Sequence, residues 1–176
     1  MQIRPATSED SAALATIQIT SYRTAYAHIF PAAYLAQFSP EEQTEDWRTL
    51  IAAATCEVVY VAQQDGNIVG YGLGRWTAAP EWEGELVALH ILPAFQRQGI
   101  GRRLFAAVTR HLEAQGCRTL WVGVLAKNPA RQFYLRFGGT LGGEQSFEVA
   151  GVTVVEVAYR WEQIEALAQR LGSSGG

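Results

Sequence analysis

The chain has 176 residues, 48% hydrophobic and 18% charged, which is enough apolar material to build a well-covered core without a second domain. Its formal net charge of -3 argues against electrostatic binding to DNA or RNA and suits a cationic small partner. Neither a basic segment leading into an apolar signal region nor an apolar run of membrane length is present, so the expected setting is cytoplasmic, with no membrane contact.

In chain order, Met1–Pro5 reads as a short strand. Thr7 with Asp10 forms a capping box for a helix to about Ala27, along which Leu14, Ile17, Ser21, Tyr22 and Ala25 recur at helical spacing. Pro31 and Pro40 open two further helices, the second carrying Trp47, Leu50 and Ile51. Cys56–Gln64 is a β-branched, apolar strand, Asp65-Gly66-Asn67 is a hairpin turn, and Ile68–Trp76 returns antiparallel. Glu83–Leu92 is nearly continuous in apolar residues, as expected of a strand covered on both faces. A helix follows from Gly99 to about Gln115, with Ile100, Leu104, Ala107, Val108 and Leu112 on one stripe and Gly116 at its stop. Thr119–Leu125 is a strand, Pro129–Phe137 a short helix, Leu141–Val149 with Thr153–Trp161 a hairpin, and Glu162–Leu171 a last helix. One domain over residues 1–171 with a frayed tail at 172–176 is expected. Cys56 and Cys117 sit far apart on predicted strands, as reduced core residues do, and His28, His90 and His111 show no ligand spacing, so no metal is expected.

The segment Leu89–Leu104 passes from strand through a glycine-punctuated turn into the amphipathic helix. Gly99 and Gly101 lack Cβ atoms where the backbone turns and approaches a ligand, and the helix then offers unpaired N–H groups and its positive end to an anion. Arg97, Arg102 and Arg103 crowd the same spot. The spacing is not that of a dinucleotide fingerprint, which needs another glycine at position 104, and no Gly-Lys-Ser/Thr follows as in a P-loop. A dinucleotide-dependent enzyme is thereby disfavoured, as it is by the missing βαβ context.

Gln96-Arg97-Gln98-Gly99-Ile100-Gly101, preceded by an apolar strand ending in Pro93, resembles the coenzyme A pyrophosphate loop of the GNAT superfamily of acyl-CoA-dependent N-acyltransferases. Phe133-Tyr134 followed by Gly138 is similar to that family's signature on the helix after the fifth strand. The element order agrees over about Met1–Trp161, with the specific residues concentrated between Glu85 and Gly138. The resemblance implies an α/β (α+β) fold whose mixed, mostly antiparallel central sheet of about seven strands is flanked by helices and splays between strands 4 and 5. It also implies acetyl-CoA as cosubstrate, held by Gln96, Arg97, Gln98, Gly99, Ile100, Gly101 and Arg102 at the pyrophosphate. The splayed backbone of Leu89, His90 and Ile91 would pair with the pantetheine arm, and the Leu89 N–H would face the acetyl carbonyl.

An alkylammonium with pKa ~10.4 is a poor nucleophile at pH 7, and freeing its amine costs roughly 4 to 5 kcal/mol, so a base is expected. Glu85, six residues before Ile91 among apolar neighbours, stands where the histone-acetylating branch of the family keeps its base. Otherwise it belongs to a solvated acidic edge with Glu81 and Glu83. His90 also titrates near neutrality, but strand alternation turns it away from both Glu85 and Leu89, as for a hydrogen-bonded structural histidine. By resemblance Tyr134 protonates the departing thiolate, and a phenol with pKa near 10 suits that task. The loop before it departs from the pattern. The family asparagine that holds pantetheine stands seven residues before the tyrosine, where this chain has Lys127. Asn128, one residue on, either reaches the cofactor or caps the helix at Pro129. Gly139 replaces a commoner phenylalanine.

Tyr22, Tyr26, Phe30, Trp76 and Trp82 are candidate walls of an acceptor pocket, with Glu81 and Glu83 to attract a cation; the alternative for each aromatic is core packing. The expected reaction is direct acetyl transfer to a primary amine of a small molecule or peptide. The competing reading is a catalytically silent acyl-CoA-binding sensor on the same fold, which would need neither Glu85 nor Tyr134. A homodimer through the C-terminal hairpin or last helix is left open.

Overall fold

The structure, a computed structural model, describes residues 1–53, 56–77 and 83–173. Seven strands form one sheet in the order β1-β2-β3-β4-β5-β7-β6, where β1 is Gln2–Pro5, β2 Glu57–Gln64, β3 Asn67–Thr77, β4 Glu83–Ile91, β5 Thr119–Leu125, β6 Thr140–Val149 and β7 Val152–Trp161. All neighbours are antiparallel except β4 and β5. Two-residue turns at Asp65-Gly66 (φ 50° and 83°) and Ala150-Gly151 (φ 53° and 75°) place both residues in the left-handed region, the twist that tight hairpins require.

The Thr7–Asp10 capping box opens a 3-10 turn at Ser8–Asp10, which leads into α1 (Ser11–Ala25). The helix behind Pro31 is only α2 (Ala32–Leu35), and Pro40 opens α3 (Pro40–Ala53). α1 and α3 cover one face of the sheet, here the front, through Leu14, Ile17, Trp47, Val59, Val61, Tyr71 and Leu73. On the back lie α4 (Ile100–Ala114), α5 (Arg131–Arg136) and α6 (Ile164–Gly172), joined to β5 and β7 through Phe105, Val108, Leu112, Leu120, Tyr134, Tyr159, Trp161 and Leu167. α6 takes in Gly172, and Ser173 bonds back to Gln169, so the chain is ordered past the start of the expected tail; residues 174–176 lie outside the described residues. No described helix is long and apolar enough to cross a membrane.

Two departures from regular pairing shape the centre of the sheet. Leu73 pairs with Ala88 but Gly74 pairs with Leu86, so Val87 is an extra residue that bulges out of β4. Leu86 and Leu89 therefore both reach the back, while Glu85 and His90 both reach the front. The alternation that turned His90 away from Glu85 is overturned by this one residue. The second departure is that β4 and β5 share only the rungs Glu83↔Thr119, Gly84↔Leu120 and Glu85↔Trp121. Beyond Glu85, β4 continues to Ile91 and β5 to Leu125 with no shared rung, which is the splay.

α4 approaches β3 closely because Gly72 and Gly74 carry no side chains there. A Cβ on Gly74 would stand 2.5 Å from Val108 Cγ1 and 3.3 Å from Val58 Cγ1. Gly74→Ala is therefore expected to destabilise the fold by about 1–3 kcal/mol, the usual cost of overpacking, measured as a lower urea midpoint. A midpoint equal to the native one would contradict this packing.

Candidate active site

The turn before α4 carries two residues in the left-handed region, Arg97 (φ 63°) and Gly99 (φ 79°), the second acting as N-cap. Arg103 N–H closes the first helical bond onto the Gly99 carbonyl at 3.2 Å, so the N–H groups of Ile100, Gly101 and Arg102 have no partner within the helix. Gly101 faces Ile91 of β4 and Phe133 of α5, where a Cβ would stand 3.3 Å from Ile91 Cδ1. The helix start is thus held against the open end of β4. Gln96 Nε2 donates to the Ile91 carbonyl and Gln98 Nε2 to the Ala94 carbonyl, which brace the turn. The three arginines do not converge as expected: Arg102 donates to the Ser173 carbonyl and Arg103 to that of Met1, while Arg97 makes no hydrogen bond among the described residues. What the turn offers an anion is chiefly backbone N–H and the helix dipole.

Tyr134 lies on the back, 6% exposed, among Phe105, Phe133, Tyr159 and Trp161. Burial holds its phenol far above the ordinary range, so it stays protonated at any working pH. Tyr26, at the end of α1 on the front, is nevertheless close enough to act on it electrostatically. The missing phenylalanine at Gly139 is compensated by Trp161: a Cβ there would lie 2.9 Å from the Trp161 ring, whose Nε1 donates to the Phe137 carbonyl.

Asn128 Oδ1 accepts the Ala130 N–H at 2.9 Å, which closes the turn leading into α5, whose N-cap is Ala130. The Asn128 side chain also stands beside the Tyr26 phenol. Glu85 sits at the last shared rung, where the strands begin to part. Desolvation pushes its carboxyl up; Arg75 opposes this, and Glu156, Glu57 and Glu83 add to it. Arg75 is held mainly by Glu57 at 2.8 Å and reaches Glu85 only at 3.5 Å. Glu83 pairs with Arg160 at 3.0 Å.

His90 is sandwiched on the front between Tyr22 and Tyr71, with ring centroids at 5.6 and 5.4 Å. Burial lowers its pKa to about 4, so it is neutral at pH 7 and poorly suited to accept a proton. The backbone of Leu89, His90 and Ile91 remains on the unshared edge of β4.

Of the expected pocket walls, Tyr22, Tyr26 and Phe30 come together, joined by Tyr34 and Phe38. Successive centroids lie 5.3 Å (Tyr22–Tyr26), 5.8 Å (Tyr26–Phe30), 5.3 Å (Phe30–Tyr34), 5.6 Å (Tyr34–Phe38) and 5.3 Å (Phe38–Tyr22) apart, closing a circuit. The last two rings sit on the loop helix α2 and beyond it, where no helical periodicity marked them. Trp76 is not part of this group: it packs on the back against His111 of α4 at 5.6 Å, because Gly74 and Trp76 share that face of β3. Trp82 and Glu81 lie outside the described residues.

Residues 20–139 match the model of the acetyltransferase (GNAT) family. The chain is 33% identical over 168 residues to the uncharacterised N-acetyltransferase YuaI of Bacillus subtilis, covering 94% of this chain and 95% of that protein. A shorter similarity, 38% over 82 residues, joins 45% of this chain to 26% of the mycothiol acetyltransferase of Streptomyces avermitilis. The fold is shared with the PaiA N-acetyltransferase of Thermoplasma acidophilum in complex with coenzyme A (TM-score 0.68, 18% identity, 91% of this chain and 98% of that one). It is shared also with YncA of Salmonella typhimurium with its cofactor acetyl-CoA (TM-score 0.71, 16% identity, 100% and 96%). The chain belongs to the GNAT family and is an acetyltransferase.

Because the folded pKa of His90 is near 4 and its ordinary value is 6.5, acidification through that window protonates the unfolded chain first and weakens the fold. Histidine-selective NMR is expected to show the His90 imidazole neutral at pH 6, with protonation only near pH 4. Titration at the ordinary value would contradict the buried stack.

Proposed function

We propose that this acetyltransferase moves an acetyl group from acetyl-CoA directly to a primary amine of a small, cationic molecule or a peptide. The observation that carries this reading is the unpaired edge of β4, which ends at the glycine-turned start of α4 on one side and is faced by Tyr134 and Tyr26 on the other. The residues fit the group: the N–H groups of Ile100, Gly101 and Arg102 would take the pyrophosphate, and the Leu89 and Ile91 backbone would pair with the amides of the pantetheine arm. Bound acetyl-CoA would supply a thioester carbonyl next to that edge. The Leu89 N–H would stabilise charge developing on its oxygen, as an oxyanion donor does.

Tyr134 would serve the leaving side. A phenol that stays protonated and is shielded from water keeps its proton available for a thiolate as it develops. Glu85, with a raised pKa at the parting of the strands, would help draw the acceptor's ammonium in. Asn128, through its bond to the Ala130 N–H in the turn before α5, would hold the loop under the pantetheine arm rather than grip it.

The acceptor would enter from the front, over the five-ring circuit of Tyr22, Tyr26, Phe30, Tyr34 and Phe38. Aromatic faces attract a desolvated ammonium by about 0.5–2 kcal/mol. The acidic groups Glu83, Glu85 and Glu156 on the same face of the sheet favour a cation as well.

In a continuous free-thiol assay with acetyl-CoA and an amine panel, Tyr134→Phe is expected to reduce amine-dependent thiol release by about 10²-fold or more, with the native melting temperature retained. Unchanged release would remove Tyr134 from the reaction. Phe30→Ala and Tyr34→Ala should raise the amine KM by about two- to thirtyfold and leave the acetyl-CoA KM alone. A change confined to the acetyl-CoA KM would move the acceptor elsewhere.

A further inference from the structure

Glu85 is the carboxylate that its place in the sequence singles out, but a second one is built into the splay itself. Glu156 projects from β7 onto the front of β5. Its carboxylate lies where a side chain at Gly123 would be: a Cβ there would meet Glu156 Cδ at 2.6 Å, Oε1 at 2.8 Å and Oε2 at 2.9 Å. Gly123 stands two residues beyond Trp121, the last residue of β5 that shares a rung with β4. Its missing Cβ thus forms a seat that brings the carboxylate flat against the strand, at the level where the sheet is open. Gln145, directly opposite on β6, donates to Oε2 at 2.7 Å, and Oε1 accepts no hydrogen bond among the described residues.

The groups facing this carboxylate are Glu85 from β4 and Tyr26 from α1, both of which feel its charge. Tyr26 in turn stands next to Asn128 and acts on Tyr134. On its own strand the nearest cation is Arg160, which is engaged by Glu83 and Glu162. Arg75 sits three strands away, on β3, and is held by Glu57. Among the described residues Glu156 is therefore a carboxylate of the open region without a cationic partner, whereas Glu85 has one.

We propose that Glu156 is the group that takes the proton from the acceptor's ammonium, with Glu85 as a second negative charge that draws the cation in. This rests on the acetyl-transfer reading above. The ammonium gives one proton to the free Oε1 of Glu156, and the nitrogen lone pair forms the C–N bond at the thioester carbonyl. The C–S bond breaks with its electron pair on sulfur. Tyr134 gives its proton to that sulfur and regains one from the nitrogen. Glu156 then loses its proton to solvent, so ammonium and acetyl-CoA become amide, coenzyme A and one released proton.

The test uses phenethylamine, 1,4-diaminobutane and a short peptide with a free N-terminus, read two ways: amine-dependent thiol release across pH, and calorimetric affinity of the coenzyme A-loaded protein for each amine. Glu156→Gln is expected to lower thiol release by about 10²-fold and to weaken amine affinity about tenfold, as for loss of a charge-assisted contact. Gly123→Ala should act in the same direction, because the methyl group displaces only the end of a flexible side chain, with a melting temperature close to the native one. Glu85→Gln should retain more than a tenth of the rate. Native turnover with Glu156→Gln unchanged in both readouts would overturn the assignment and leave acetyl transfer standing. No native turnover, with amine affinity still lost in Glu156→Gln, would overturn acetyl transfer and support the carboxylate's role in amine binding.

Discussion

The rest of the structure depends on the failure of β4 and β5 to pair beyond Glu85 and Trp121. In a closed sheet the N–H and C=O groups along Val87–Ile91 and Val122–Leu125 would satisfy one another. Here one edge of β4 is left open in the middle of the molecule, where unpaired backbone groups cost free energy unless water or a ligand meets them. An edge of this kind accepts an extended polyamide in the manner of an added strand. The neighbouring elements are arranged around it: α4 starts at one end with its free N–H groups, α5 brings Tyr134 beneath it, and α1 brings Tyr26 over it.

The bulge at Val87 matters for the same reason. By inserting one residue it lets Leu86 and Leu89 both serve the back core while Glu85 and His90 both face the front. The front then separates into two environments. An apolar, aromatic half under α1 keeps His90 neutral, with its pKa near 4. A charged half near β5 and β7 holds Glu83, Glu85 and Glu156, against which Arg75 and Arg160 compensate only in part. A cationic acceptor spanning the two would place its apolar body on the rings and its ammonium at the carboxylates.

Much of this was legible in the sequence because its signals are local. The capping box at Thr7 and Asp10, the Asp65-Gly66 turn, the glycine turn before α4 and the apolar stripe of that helix each depend on residues close in the chain. The signature around Tyr134 was equally readable. What escaped was set by register and by contacts distant in sequence. Alternation alone cannot reveal that Val87 is bulged, and without the bulge His90 falls on the face opposite Glu85. The face of Trp76 follows from the glycine at 74 that admits α4, a tertiary fact. Tyr34 and Phe38 lie on a four-residue helix and a loop, too short for periodicity to mark. Glu156 sits on an exposed hairpin that reads as surface until its partner Gly123 is seen across the sheet.

The most direct test of the central claim is residue-resolved amide hydrogen exchange with and without acetyl-CoA. If the parted strands receive the acyl donor, the N–H groups of Leu89 and Ile91, together with those of Ile100, Gly101 and Arg102, become protected on binding, while β1 and the outer edge of β6 do not change. Tight binding that leaves the β4 edge exchanging as before, with protection concentrated elsewhere, would contradict the claim that the open sheet is where acetyl-CoA is held.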